Sequence, residues 1–333
     1  MPAVSVVIPS YNHAAFLDEA VRSVLAQTLA DLELIVVDDG STDDSLAVLA
    51  AIDDPRLRVV DQANQGAHAA INHGIALARA EVVAVLNSDD AFPADRLARC
   101  VAALTPAVSL VGSWVQIVDE AGGDLGVKHG YRDCPPWPLD HPERSVRAGD
   151  DRRAALLAEH YLATTSNFVF RRADWERVGG FRPLRYTHDW DFALRLAALA
   201  PPALLEAPLL RYRVHARNTI RENRVAMVLE ICWCLAVHLP AAAGRGWLGA
   251  ATPEGLEVLL HSLYTFDCER VLTMLMTYDV AHDEVLATAL LDPADPRRLR
   301  LLAFIEERLA APATPDAAGA LARLRRWLRG GAA

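Results

Sequence analysis

Leu34-Ile35-Val36-Val37-Asp38-Asp39-Gly40-Ser41 decides the fold of this chain. Four aliphatic residues in a row, with no polar alternation, describe a strand buried on both faces, as in a parallel sheet. The pattern recurs at Val82-Val83-Ala84-Val85-Leu86, which runs into Asn87-Ser88-Asp89-Asp90. A third acidic cluster follows at Thr187-His188-Asp189-Trp190-Asp191. In an open α/β sheet, ligands bind just beyond the carboxyl ends of the strands. Carboxylates crowded at that edge repel one another unless a cation or a hydrogen-bond donor sits among them. A metal-bound nucleotide supplies both. One such cluster alone reads equally well as helix and turn capping, but three in this order favour a binding site.

Working outward, Val4–Ile8 reads as the first strand and Pro9-Ser10-Tyr11-Asn12 as its turn. The helix after it carries Phe16, Leu17, Ala20, Val21, Val24 and Leu25 on one face. Downstream come a strand near Leu57–Val60, a helix near Ala67–Ala78 and the strand Val82–Leu86. This βαβαβ alternation predicts an α/β, Rossmann-like, mostly parallel sheet flanked by helices and wound right-handedly. Further strands are expected near Ser109–Val118, Asn167–Arg171 and Leu209–His215, with helices near Ala154–Tyr161 and Asp191–Ala198. Between Gly122 and Asp151 lies a polar stretch centred on Pro135-Pro136-Trp137-Pro138, too long for an ordinary connection and therefore functional or mobile. After about Asn223 the sequence turns to helices rich in Ala, Leu and Arg. This divides the chain into a core domain, 1–222, and an α-helical C-terminal extension, 223–333.

A chain of 333 residues can bury a sizeable core. Its net charge of −10 argues against nucleic acid as a partner. No apolar run is read as approaching the roughly 18 residues that cross a bilayer. The N-terminus opens directly into a strand, so the cytoplasm is the expected compartment. Five cysteines without paired spacing fit neither a zinc site nor a disulfide framework, and Cys232-Trp233-Cys234 reads as core packing. Ala310–Ala320 reads as a linker. The basic amphipathic stretch Leu321–Arg329 is expected either to pack on the domain or to rest on an anionic membrane at its inner face, and a homodimer is left open. There is no GxGxxG after the first strand, no Gly-Lys-Ser/Thr loop and no serine elbow.

What is present is an ordered series. It runs from Val6-Val7-Ile8-Pro9-Ser10-Tyr11-Asn12 through Ser23-Val24-Leu25-Ala26-Gln27-Thr28 to Val36-Val37-Asp38-Asp39-Gly40-Ser41-Thr42-Asp43. It continues with Asn64-Gln65-Gly66, Asn72-His73-Gly74, Leu86-Asn87-Ser88-Asp89-Asp90, Gly179-Gly180-Phe181 and His188-Asp189-Trp190-Asp191 with Leu194-Arg195. The series resembles the family 2 glycosyltransferases, inverting enzymes with the GT-A fold, over roughly residues 4–218.

That resemblance implies a nucleotide-diphosphate sugar as donor and a hydroxyl of a glycan or lipid-linked molecule as acceptor, in surface polysaccharide synthesis. It puts Pro9, Tyr11, Asp39, Asn64, Gly66, Asn87 and Ser88 at the nucleotide. Tyr11 either lies against base or ribose or packs on the first helix, and Asp38 shares the base-reading assignment with Asp39 unless it caps Ser41–Asp44. Asn87-Ser88-Asp89 stands in the place of the family's DxD motif, so Asp89 is the implied ligand of Mg²⁺ or Mn²⁺. His215 is a second candidate for metal or diphosphate. Asp189 matches the family's catalytic base, with His188 where a glutamate is usual. Asp90, His188, Arg211, Arg213 and Arg217 are candidates to touch diphosphate or acceptor, and Asp191 with Arg195 an ion pair. Gly122–Asp151 is assigned to the acceptor side. Two further departures are the neutral Asn87 and Ile71, which stands where many relatives carry an arginine. These changes motivate one competing reading, a sugar-nucleotide-binding protein without turnover.

Overall fold

The computed structural model describes residues 1–130, 151–219, 222–247 and 269–310. The proline-rich centre at 135–138, nearly all of the Ala310–Ala320 linker and the basic stretch at 321–329 lie outside the described residues.

The aliphatic runs form four parallel strands: β1 (Val4–Ser10), β2 (Leu32–Asp38), β3 (Leu57–Asp61) and β4 (Val82–Val85). Successive side chains of a strand point to opposite faces, and both faces of this sheet are covered. Val7, Ile35, Val37 and Val85 pack against Ala70, Ile71 and Ile75 of α3 (Ala67–Ala76). Val6, Ile8, Leu34 and Val36 pack against Leu17, Val21 and Val24 of α1 (Ala14–Leu25). All of these residues are fully buried. The approach of α3 to β1 is close enough to require glycine, because a Cβ at Gly74 would lie 2.4 Å from Val7 Cγ1. The order β3-β2-β1-β4 reverses direction between β1 and β4, and this switch point is where an α/β sheet binds its ligand.

The remaining strands make the sheet mixed. β5 is Leu110–Val118, β6 Asp124–Lys128, β7 Val169–Arg171 and β8 Ala203–Arg213. β7 joins antiparallel to both β4 and β5, β6 pairs antiparallel with β5, and β8 runs parallel to β5. Part of the long polar stretch is therefore a regular hairpin strand. Helices α2 (Ser45–Ala50), α4 (Arg96–Ala103), α5 (Arg152–Ala158), α6 (Arg172–Val178) and α7 (His188–Ala197) complete the core region.

The C-terminal region contributes α8 (Arg224–Gly244), α9 (Glu269–Thr277), α10 (Glu284–Ala289) and α11 (Pro296–Ala310). Leu229, Cys232, Trp233 and Leu235 of α8 enter the same apolar cluster as α3 and α7. The expectation that no apolar run is long enough to cross a membrane needs correction, because α8 meets that length and composition. Rather more than half of its apolar stretch is buried inside the protein. A helix apolar on most sides is what a core position demands as well. Asp191 fastens α8 to α7. Fully buried, it accepts from Arg195 at 2.6 Å, from Arg182 at 2.9 Å and from His238 of α8 at 2.9 Å, so the expected ion pair is the centre of a larger node.

Candidate active site

Three strand ends meet at one cavity of about 1240 Å³. β1 ends at Ser10, and Asn12 turns the chain with a left-handed φ of 55°. Asn12 Oδ1 accepts from Thr42 N at 2.7 Å, and Asn12 N donates to Ser41 Oγ at 2.9 Å. The turn after β1 and the turn after β2 are thus one unit. Within it Asp38 accepts from Ser41 N at 2.7 Å, the capping role, while Asp39 reaches the cavity. Asp39 is nearly buried and grips the next loop: Oδ1 accepts from Gln62 Nε2 and Gln65 N, and Oδ2 from Gly66 N. Pro9, Tyr11, Asn64 and Gly66 line the same wall, and Tyr11 is 47% exposed.

The residues after β4 point in different directions. Asn87 donates through Nδ2 to Thr164 Oγ1 and accepts at Oδ1 from Thr165 Oγ1, both at 3.0 Å. Ser88 Oγ lies 2.8 Å from His13 Nδ1. Asp89 Oδ2 lies 2.9 Å from His215 Nε2. Asp90 instead turns inward, off the cavity wall, accepting from Ser166 Oγ at 2.5 Å and Arg213 N at 3.0 Å. Burial, helped by the Asp89 charge, pushes its carboxyl well above the usual range.

His13, Asp89 and His215 each offer a ligand atom, all within 4.8 Å of one another. Two imidazoles and a carboxylate suit a divalent cation, so these residues fit the metal that the family resemblance implies. Burial lowers the His13 pKa, with Asp89 opposing, and this favours the neutral ring a ligand needs.

Of the three arginines singled out in the sequence, Arg211 and Arg213 pair with Glu19 of α1 and do not line the cavity. Arg217 does line it, is exposed, and makes no ion pair among the described residues.

His188 and Asp189, in the first turn of α7, also line the cavity. Asp189 Oδ1 accepts from Trp190 N at 2.7 Å, and Oδ2 lies 3.1 Å from His160 Nε2. Burial would raise the Asp189 pKa. Nearby His160 and His188 and the Trp190 N–H outweigh it, holding the carboxyl below its ordinary range. The group is therefore ionised at neutral pH. His160 is held in turn by the Trp190 indole, stacked at 6.3 Å between ring centroids. His13 and His160 escaped the sequence reading, since a histidine beside a turn or at a helix end carries no spacing signal.

Such a site, at the switch point with carboxylates on its wall, is where an open α/β sheet binds its ligand, and the structure around it has the GT-A fold. S. aureus TarS in complex with UDP-GlcNAc has a TM-score of 0.58 to it at 17% identity, covering 91% of this chain and 84% of that one. A mannosyltransferase of Pyrobaculum calidifontis, solved with GDP-Man and Mn²⁺, gives 0.52 at 21% identity, covering 98% and 80%. At these identities the likeness speaks for the fold.

The chain belongs to glycosyl transferase family 2, whose family model matches residues 5–179. It is similar to an uncharacterized glycosyltransferase of Nostoc sp., 32% identical over 221 residues that make up 65% of this chain and 66% of the relative. It is also similar to the chondroitin synthase of Escherichia coli, 28% identical over 224 residues, 66% of this chain and 30% of the synthase. The match thus covers just under two thirds of the first relative and less than one third of the second.

Proposed function

We propose that this glycosyltransferase moves a sugar, with inversion, from a nucleoside-diphosphate donor to a hydroxyl of a glycan or lipid-linked acceptor in polysaccharide assembly. One observation carries the reading: a single cavity is lined both by Asp89, beside its imidazole partners, and by the ionised Asp189. The likeness to chondroitin synthase supports a polysaccharide product.

In a single displacement the acceptor oxygen bonds to the anomeric carbon, the bond from that carbon to the diphosphate breaks, and the acceptor proton leaves. Asp189 is the base for that proton. The Trp190 N–H donates to one oxygen of its carboxylate and the His160 ring lies beside the other. Arg217, on the wall of the same cavity, would meet the diphosphate charge. Asp89 and His215 would hold a divalent cation, whose positive charge would stabilise the diphosphate as a leaving group. Asp39 and the backbone of the Asn64–Gly66 loop form the wall for the base.

Calorimetric titration with UDP, dTDP, GDP and CDP, each with and without Mn²⁺, tests the donor site. Metal-dependent binding of one nucleotide is the expected result. Folded protein that binds none of the four would refute the reading.

A further inference from the structure

We infer that His13 is a third protein ligand of the metal site, making a face of two imidazoles and one carboxylate that selects Mn²⁺ over Mg²⁺. This rests on the donor-site reading above and goes beyond the Asp89 and His215 assignments.

The first argument concerns Asn87. It occupies the position from which a second carboxylate would be expected, but its amide is committed at both ends to Thr164 and Thr165. These two bonds fix the orientation of the amide, and Oδ1, the one atom of it that could serve as a ligand, already accepts from Thr165. The motif therefore supplies Asp89 alone, and the missing donor has to come from elsewhere.

The second argument concerns what His13 does not do. It occupies the N-cap position of α1, where a side chain usually accepts from the first free N–H groups of the helix. His13 makes no such bond; Asp43 reaches across and accepts from Ala14 N at 3.0 Å. Relieved of capping, the imidazole is aimed at Ser88 and at His215, whose ring centroid lies 5.7 Å away, edge to face. Ser88 engages Nδ1, which leaves Nε2 as the free ring nitrogen. A metal-bound histidine usually donates its other ring N–H to an oxygen acceptor, and Ser88 Oγ beside Nδ1 is an oxygen in position for that part.

Selectivity follows from the donor set. Mg²⁺ takes oxygen donors and gives up its waters reluctantly, whereas Mn²⁺ belongs to the first-row ions that bind mixed nitrogen and oxygen sites, more weakly than the later ions that imidazole suits best. With two neutral nitrogens and a single charge on the protein side, Mg²⁺ loses most of what a carboxylate pair would give it.

The test uses the full chain with Mn²⁺ and the diphosphate that binds best in the titration above. Electron spin echo modulation of bound Mn²⁺ should show nitrogen from two imidazoles in the unaltered protein and from one in His13→Gln or His215→Gln. His13→Gln should weaken Mn²⁺ by about 10-fold or more, the scale found even for groups one step outside the ligands. It should also narrow the preference for Mn²⁺ over Mg²⁺ measured by competition. Modulation from one imidazole in the unaltered protein, or unchanged Mn²⁺ affinity in His13→Gln, overturns the inference and leaves the donor site standing. No Mn²⁺ bound with any of the four diphosphates overturns the donor-site reading and this inference with it.

Discussion

Asp189→Asn separates the base from its surroundings. The substitution is nearly isosteric: the amide oxygen can still accept from Trp190 N, now 2.7 Å from Oδ1, and the other corner stays beside His160. Asp189 shares no hydrogen bond or ion pair with His13, Asp89 or His215, so donor diphosphate binding should stay within about twofold. Transfer should fall by about 10²- to 10⁴-fold, the range a positioned general base contributes, which is roughly 3–5 kcal/mol of barrier. The pH profile adds a second constraint. The Asp189 pKa is depressed, so its carboxylate is the form present at neutral pH and is lost only as pH falls through a value below the ordinary carboxylate range. The unaltered enzyme should therefore show no inflection from this group between about pH 5 and 8. Both quantities come from initial rates against acceptor at saturating donor. Turnover in Asp189→Asn within tenfold of the unaltered enzyme would refute the assignment. So would a loss of transfer in His160→Gln as large as that in Asp189→Asn, which would move the base to the imidazole.

Three further outcomes are expected. Asp191→Asn removes the buried carboxylate that Arg195 and His238 face, and should cost roughly 3 kcal/mol, seen as a lower urea midpoint at unchanged slope. Because the Asp191 pKa is held well below normal, its contribution is fully present above about pH 4 and fades as pH drops towards the folded value. Gly74→Ala gains up to about 1 kcal/mol of helix propensity but forces a methyl to within 2.4 Å of Val7 Cγ1; net destabilisation by chemical denaturation is expected, on the order of 1 kcal/mol. Arg217→Gln should weaken the donor diphosphate by roughly 10-fold with little change in melting temperature, since the residue is exposed and bonded to no carboxylate among the described residues.

The parallel half of the sheet was legible because burial on both faces leaves uninterrupted aliphatic runs, as in Val4–Ile8 and Leu34–Val37. Strand direction was not, since a period of two reads the same both ways: β7, only three residues long, joins antiparallel and makes the sheet mixed. β6 was hidden because Asp124 and Leu125 are exposed and Gly126 breaks the alternation. Motif order identified the family, but not what each motif does. Asn72 and Phe181 are 109 positions apart, yet Asn72 Oδ1 accepts from Phe181 N and its Nδ2 donates to Phe181 O, each at 2.8 Å. A Cβ at Gly180 would lie 2.8 Å from that same Oδ1, which accounts for the glycine beside the phenylalanine. Two pieces of the series are thus halves of one structural clasp between α3 and the segment leading to α7. Side-chain direction was equally out of reach. Asp89 and Asp90 are neighbours, but one lines the cavity and the other is sealed beneath it. Arg211 and Arg213 face Glu19, which nothing in the sequence marks as their partner.

What lies beneath the site explains how the Ser88–Asp89 turn can be held ready. Ser166 Oγ accepts from Asn87 N and donates to Asp90, while the backbone oxygen of Ser166 and Oδ1 of Asn167 both accept from the fully buried Arg96 guanidinium. Arg96 reaches on to Ser113 of β5 and Leu209 O of β8. One polar network therefore ties the turn after β4 to three other strands or their leads. A buried network of this kind is costly if any member is missing and rigid when all are present. Its rigidity serves the surface above it: Asp89 and Ser88 keep their positions without support from a ligand, so little binding energy goes into ordering them. The charge placement follows the same division. Asp90 stays beneath, with its carboxyl pushed up towards the neutral form, and Asp89 alone among the pair brings a negative charge to the cavity. A site with a single carboxylate there depends on neighbouring neutral donors to hold a cation, and His13 and His215 stand in that position.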